Sequence, residues 1–504
     1  MVSTSNFYDL IVLGSDLAGL SAAALVARRG KRVLVIPLAP IDGIDTGAPE
    51  PVIAEPAPIV FAESPPVQRV FDELGVWQQV RRERAPIRGR LHLALPDHHL
   101  DLSAGLHNLR SEIEREWPNS RGLQAWAEHQ RLSESCHGLW EEILASDLAV
   151  SSDGFFDRRA LSKIAGQLPG YDLDDMAPLG ADHPLRVLGH MMVPWLANLA
   201  PEQLGAAAAL RIAALWNSGP DDFSGGMSRL RGFLLDRITT HAGEVKPSLR
   251  IAELMVHRGR VSGVAFFGKR GAYGCEHLIL ADDPAYLLRE VIPTSGLDGI
   301  FGLAPADVEV VAERYVLHLD IDAAGVSPAL DGIVVQLSKT ANFAARHGIG
   351  TNYLRIDPTV VNGTRRLVLT RIIAPNEAKH DLRERIVDEL DLAGILPFVS
   401  PHIKWTYSPH DGRGALDRHG RELRERTPEL RPTPMESIVR RTKGEPVLGV
   451  GLYPHTTELR NLYCASRLTL PGLGLEGELA TALAVAASIA APSRGRGRPR
   501  IFGR

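Results

Sequence analysis

Cysteine is scarce. Cys136, Cys275 and Cys464 are the only three in 504 residues. Their wide separation supplies neither a disulfide framework nor a metal-ligand spacing, and such usage suits a reducing, cytoplasmic setting. An excess of charge of one sign is missing too. The 56 Lys and Arg stand against 60 Asp and Glu, a formal net charge of -4, which argues against a body that binds nucleic acid by bulk charge. No run of about 18 apolar residues exists to span a bilayer. Residues 480–491 come nearest, and their short, alanine-rich run reads as a buried helix. No basic segment followed by an apolar one opens the chain, because the first apolar run is itself a strand. The motifs G-x-S-x-G, H-E-x-x-H and G-x-x-x-x-G-K are absent. That weakens hydrolase, zinc-protease and P-loop readings.

What is present is concentrated near the start. Tyr8 to Leu13 (YDLIVL) reads as a buried parallel strand. The turn Gly14-Ser15-Asp16-Leu17-Ala18-Gly19 follows, then a small-residue helix and a second strand from Arg32 to Ile36. This is a βαβ unit whose first turn should hold the diphosphate of a dinucleotide. Beyond it, residues 37–66 are rich in proline and glycine and read as loop. VQRVFDELGVWQQV has helical spacing, with Gly75 near a bend. LHLALPDHHLDLS alternates apolar and polar residues about Pro96-Asp97-His98-His99, the pattern of a hairpin. Helical patterns dominate to Trp216. Strands return after Gly226, and one of them, His277 to Ala281, runs into Asp282-Asp283-Pro284. A further helix is expected over Glu377 to Leu392. The C-terminal region reads as strand, glycine loop and helix, followed by the basic stretch SRGRGRPRIFGR.

This order of motifs resembles the phytoene desaturase branch of the flavin amine oxidase superfamily. LIVLGSDLAGLSAAALVARRGKRVLVI looks like its N-terminal FAD unit, and FDELGVWQQV with LALPDHHLDL resembles the region after it. GGMSRLRGFLLDRITTHAGEV, ELMVHRGRVSGVAF and LILADDP are similar to its middle FAD block. NLYCASRLTLPGLGLEGELATALAVAASIA resembles its C-terminal flavin motif. The four blocks cover about half the chain, in order. The resemblance implies an α/β fold: a Rossmann-like FAD-binding domain from residues 5–100, 221–300 and 445–492. An interleaved α+β substrate domain would comprise residues 101–220 and 301–444, and residues 493–504 would form a disordered basic tail.

The cofactor-binding candidates implied are Gly14, Ser15, Asp16, Leu17, Ala18 and Gly19 in the first turn. At the C-terminal motif they are Ser466, Arg467, Pro471, Gly472, Leu473, Gly474 and Leu475. Gly14 makes the tight bend and Gly19 allows close helix–strand packing. Asp16 stands where the middle glycine of G-x-G-x-x-G lets the backbone approach a pyrophosphate. Two like charges about 4 Å apart repel by roughly 4 kcal/mol at an effective dielectric of 20, which is about three decades of affinity. Aspartate is also a favoured N-cap. On one reading, then, Asp16 fills the anion site itself; on the other, FAD binds in a shifted pose. The acidic residue that the family uses for the ribose falls at Pro37, which has no acceptor side chain. A glycine pair is missing beyond it, with Asp42-Gly43 or Asp45-Thr46-Gly47 as partial stand-ins. Arg467 is read either as positive charge for a phosphate or as a solvated surface residue. Glu476 is read as a favourable helix-dipole interaction.

No catalytic residue is assigned, since flavin chemistry lies on the cofactor. His98 and His99 are expected to be exposed. His190 with Met191, Met192, Val193, Pro194 and Trp195 either lines an apolar substrate cavity or packs a core, and Trp405 and Tyr407 carry the same two readings. Three functions follow. One is an FAD-dependent oxidoreductase acting on an apolar or amphipathic small molecule, with peripheral membrane contact left open. The second is a cofactor-free relative that keeps the fold as a binding or scaffold protein. The third is DNA association through Arg496-Gly497-Arg498-Pro499-Arg500, whose arginines resemble those that lie along a narrow minor groove; a solvated tail is the simpler reading.

Overall fold

The computed structural model describes residues 6–38, 64–145 (apart from 88, 96–97, 104–107 and 119), 159, 163, 191–217, 221–284 (apart from 224–225 and 268–270), 307–337, 348–423 (apart from 393–394) and 434–491. Asp42 to Gly47, His190 and the basic tail lie outside them. In chain order the strands are β1 (Phe7–Leu13), β2 (Val33–Ile36), β3 (Arg84–Pro86), β4 (Arg90–Ala94), β5 (His99–Leu102), β6 (Asp221–Phe223), β7 (Glu244–Val245), β8 (Ile251–His257), β9 (Arg260–Phe266), β10 (Ala272–Leu280), β11 (Val308–Asp322), β12 (Gly332–Gln336), β13 (Asn352–Val361), β14 (Thr364–Ile373), β15 (Ile403–Tyr407), β16 (Leu416–Asp417), β17 (Glu436–Arg441) and β18 (Leu462–Cys464). The main helices are α1 (Leu17–Arg28), α2 (Pro65–Leu74), α3 (Trp77–Glu83), α4 (Leu109–Glu116), α5 (Ser120–Ala145), α6 (Ala206–Asn217), α7 (Gly226–Thr240), α8 (Leu382–Leu392) and α9 (Gly474–Ile489).

The first sheet runs β7-β2-β1-β10-β9-β8, with β18 also beside β10. Around the centre the strands are parallel: β2 with β1, β1 with β10, and β10 with β18. Their apolar runs are buried on both faces, as a covered parallel sheet requires. On one face lie α1, α2, α7 and α9, where Leu10, Val12, Val33 and Val35 meet Ala22, Val70, Leu234 and Leu483. On the other, Ile11, Leu13, Leu34 and Leu278 pack with Val264, Leu452 and Leu468. The antiparallel pair β8–β9 continues this second core outward.

The second sheet has nine strands in the order β16-β15-β11-β14-β13-β12-β4-β5, with β17 on β11. The hairpin β4–β5 belongs here and straddles the domain boundary expected at residue 100. β4 pairs parallel with β12, Leu91 opposite Ile333 and Leu93 opposite Val335. Its apolar face joins Trp140, Leu210 and Ile372 in the core beneath α5 and α6. The opposite face packs on α8. That helix begins at Leu382, later than its charge and apolar spacing suggest. Glu377 instead closes a turn, its amide donating to the Ala374 carbonyl and its carboxylate accepting from Arg385 Nη1.

Two expected punctuation points appear as drawn. Gly75 ends α2 in the left-handed conformation (φ 74°), separating it from α3. Leu95 N donates to the His98 carbonyl across the β4–β5 turn. One helix among the described residues, Pro471–Ile489, is long and apolar enough to cross a membrane, and 67 % of its apolar window is buried inside the protein. It packs against α1 and α2 as a core helix.

Candidate functional site: a cradle filled by carboxylates

In an open parallel sheet, ligands bind outside the carboxyl ends of the strands. Here β1, β10 and β18 end level with one another: Leu13 is opposite Leu280, and Leu280 is opposite Cys464. The segments that follow them therefore converge. They carry Gly14 to Gly19, Asp282-Asp283, and Ser466-Arg467.

Gly14 turns the chain at φ 114°, a conformation that favours glycine, and a Cβ there would fall 2.8 Å from the Ala281 carbonyl carbon and from Asp282 Oδ2. Gly19 faces Ala281, whose Cβ would be 2.4 Å from an added one. Both glycines serve the bend and the close helix–strand approach for which the sequence selected them.

Asp16 is the N-cap of α1 and is buried. Its Oδ1 accepts from Gly19 N at 3.0 Å. Its Oδ2 accepts from Asp282 N at 3.1 Å and from Arg467 N at 3.0 Å. Two more carboxylates complete the arrangement. Asp282, in a left-handed conformation at φ 60°, accepts from Ser15 N at 3.2 and 3.3 Å. Glu478, from the first turns of α9, accepts from Ala18 N at 3.2 Å. The free amides at a helix start attract anions. Those of Ser15, Ala18 and Gly19 are taken by carboxyl groups the chain supplies itself.

The electrostatics follow from that crowding. Burial, then the charges of Glu478 and Asp282, hold the Asp16 carboxyl well above the usual carboxylate range. Burial raises Glu478 to about 7, against the opposing pull of Arg467. Arg467 is the nearby counter-charge rather than a solvated surface residue. Its Nη1 lies 2.8 Å from Glu436 Oε1, and Asp16, Glu478 and Asp282 reinforce its protonated state. Glu436 in turn accepts from Arg314 Nη1 at 2.9 Å, and Arg314 Nε donates to the Pro194 carbonyl at 2.8 Å. A charged chain thus runs from the α1 cap across to the second sheet.

The C-terminal loop is equally occupied by protein. Gly474 (φ 54°) would place a Cβ 2.0 Å from the Leu196 carbonyl, Gly472 one 2.7 Å from Val450 Cα, and Gly477 one 2.4 Å from the Leu470 carbonyl. Asn198 N donates to the Pro471 carbonyl at 2.8 Å. Leu473 and Pro471 are buried and Leu475 is partly so. Ser466 forms a turn, its Oγ accepting from Leu468 N at 3.1 Å. Glu476 is more than a dipole partner. It is buried against Arg211 at 2.7 Å and also accepts from Ser64 Oγ at 2.6 Å.

The remaining candidates resolve as follows. Met191, Met192 and Val193 are buried in the core beneath the second sheet. Trp195 stacks on Tyr353 with ring centres 5.2 Å apart. Trp405 and Tyr407 are buried together. His98 is partly covered, 4.5 Å from Trp117 and 3.3 Å from Glu116, while His99 is exposed. Pro37 is buried at the end of β2. Among the described residues no cluster of His, Cys, Asp and Glu could hold a metal. Asp282, Glu478, Glu436 and Arg314 were not singled out from sequence. The only local signal was the acidic pair ending LILADDP.

The residues present do not fit an FAD diphosphate. Three amides of the cradle are already bonded to carboxyl groups of the chain, so an incoming dianion would have to displace them, with Arg467 and Arg231 as the nearby positive charges.

Neither a protein-family model nor a curated protein matches the sequence. Solved structures match in fold. An oxidoreductase from Methanosarcina mazei superposes with a TM-score of 0.55 at 12% identity, over 94% of this chain and 99% of its own. Cyclohexylamine oxidase from Brevibacterium oxydans gives 0.53 at 13% identity, over 96% and 98%. The Rab GDI of Plasmodium falciparum gives 0.51 at 10% identity, over 96% and 98%. The chain has the α/β fold of the FAD-binding, Rossmann-like oxidoreductases.

Proposed function

We propose that this chain is a cofactor-free binding or scaffold protein that keeps the flavoenzyme fold. One observation carries the reading: Ser15, Ala18 and Gly19 present their amides to Asp282, Glu478 and Asp16 rather than to open space. Pro37, where an acceptor for the ribose is expected, supports it. A match in fold to a Rab GDI is compatible with a binding role, as the match to oxidases is with an enzymatic one.

The second reading is an FAD-dependent oxidoreductase of the phytoene-desaturase-like type, acting on an apolar or amphipathic small molecule. Its support is the likeness of the whole chain to oxidoreductases and the retention of Pro471, Gly472, Gly474 and Gly477. Yet each of those three glycines already has a protein neighbour that excludes a side chain, so the loop has a reason to persist without a flavin.

Purified protein distinguishes the two. A ligand that binds the native state at about 100 times its Kd stabilises it by about 2.7 kcal/mol. The expected result is a colourless protein whose melting temperature does not move with added FAD. A yellow protein, or a melting temperature that climbs with FAD concentration, overturns the proposal.

A further inference from the structure

We infer that exclusion of a dinucleotide diphosphate is shared by Asp16, Asp282 and Glu478, so that restoring the glycine of the turn alone does not reopen the site. The inference rests on the cofactor-free reading above and goes beyond it in naming the residues. The sequence by itself points to Asp16, the one residue that departs from the glycine pattern. The structure divides the task among three chain segments.

Asp282, following β10, occupies the Ser15 amide. Glu478, from α9, occupies the Ala18 amide. Asp16 occupies the Gly19 amide and, through its other oxygen, fixes the amides of Asp282 and Arg467. Removing Asp16 frees one cradle amide and leaves the other two bonded. It also leaves Asp282 and, once it ionises above about pH 7, Glu478 to repel an incoming diphosphate, with a charge–charge cost that scales inversely with distance and dielectric. Arg467 offsets this only in part, because Glu436 already holds its guanidinium at 2.8 Å.

Titration calorimetry with inorganic pyrophosphate and with FAD tests the assignment. The proteins are wild type, Asp16→Gly, the triple variant Asp16→Gly/Asp282→Gly/Glu478→Ala, and the neutral triple Asp16→Asn/Asp282→Asn/Glu478→Gln. Glycine suits the left-handed position 282. The neutral set keeps side-chain size, helix cap and an acceptor for each amide, so it reads the charge part of the exclusion should the smaller set fail to fold. Wild type and Asp16→Gly are expected to give no saturable heat with pyrophosphate, and the triple variants to bind it roughly tenfold or more tighter. Asp16→Gly binding as tightly as a triple variant overturns the inference. So does a triple variant that keeps the wild-type circular dichroism spectrum and binds no better than wild type. FAD binding to the wild-type protein would end the cofactor-free reading itself, whereas silent triple variants end only this assignment.

Discussion

Raising the pH from 5 to 8 should weaken the fold through Glu478, and Glu478→Gln should abolish that part of the dependence. In the folded chain burial lifts this carboxyl from the ordinary glutamate value of 4.5 to about 7. Between those values the folded protein holds a proton that the unfolded chain has released. Unfolding then releases a proton, so stability falls as pH rises through this window. The contribution is fully present below pH 4.5 and gone above 7. At about 1.4 kcal/mol per pH unit the loss is roughly 3 kcal/mol, an upper figure because Asp16 beside it competes for the same proton. Histidines with lowered values, His99, His277 and His318 among them, act oppositely below pH 6.5, so the wild-type profile alone is ambiguous. The difference between wild type and Glu478→Gln isolates the group. Urea unfolding at half-unit pH intervals should show the two proteins matched near pH 5 and the variant more stable at pH 8. Parallel curves would refute the reasoning, since they would mean that the carboxylate is solvated and ordinary.

Two further outcomes test the packing that builds the cradle. Gly19→Ala drives a methyl to 2.4 Å from Ala281 Cβ; overpacking of this kind costs about 1–3 kcal/mol, visible as a lower urea midpoint with unchanged slope. Glu476→Gln removes the charge that faces the fully buried Arg211. Stranding one partner of a buried pair costs about 3–5 kcal/mol, and the low end is expected because Glu141 also lies 2.6 Å from Arg211; a melting temperature equal to wild type would show that Glu141 suffices.

What the sequence exposed and what it hid differ in physical range. The β1–turn–α1 unit was legible because its signals are local: an apolar strand, Gly14 at the bend, small residues where helix meets sheet, and an aspartate one position before the helix. The N-cap reading of Asp16 rested on a bond spanning three residues, and Gly19 N makes it. The rest of the cradle lies far off in sequence. Asp282 and Glu478 meet the turn from 266 and 460 positions away, and nothing in the spacing of LILADDP or GLEGELA says that its carboxylate will face another chain segment. The hairpin Arg90 to Leu102 was recognised by its alternation, but its parallel pairing with Gly332 to Gln336 decides which sheet it joins. Alternation cannot encode that choice. Arg211 was likewise silent within an alanine-rich helix.

The filled cradle also changes what the fold needs from a ligand. The amides at the start of α1 require anionic partners, because unpaired backbone donors are costly when buried. A dinucleotide-binding protein leaves that requirement to its cofactor, and its empty site is correspondingly incomplete. Here Asp16, Asp282 and Glu478, side chains of the protein itself, meet it with hydrogen bonds, so their ordering cost falls at folding and not at binding. The like charges this gathers are tolerated in two ways. Asp16 and Glu478 are held towards their protonated forms, and Arg467 stands among them with Glu436 and Arg314 beyond. The same chain of charges reaches the carbonyl of Pro194, tying the Rossmann-like sheet to the segment under the second one. A structure closed in this way gains little from a diphosphate, since every bond such a ligand offers to Ser15, Ala18 or Gly19 must first replace one already made.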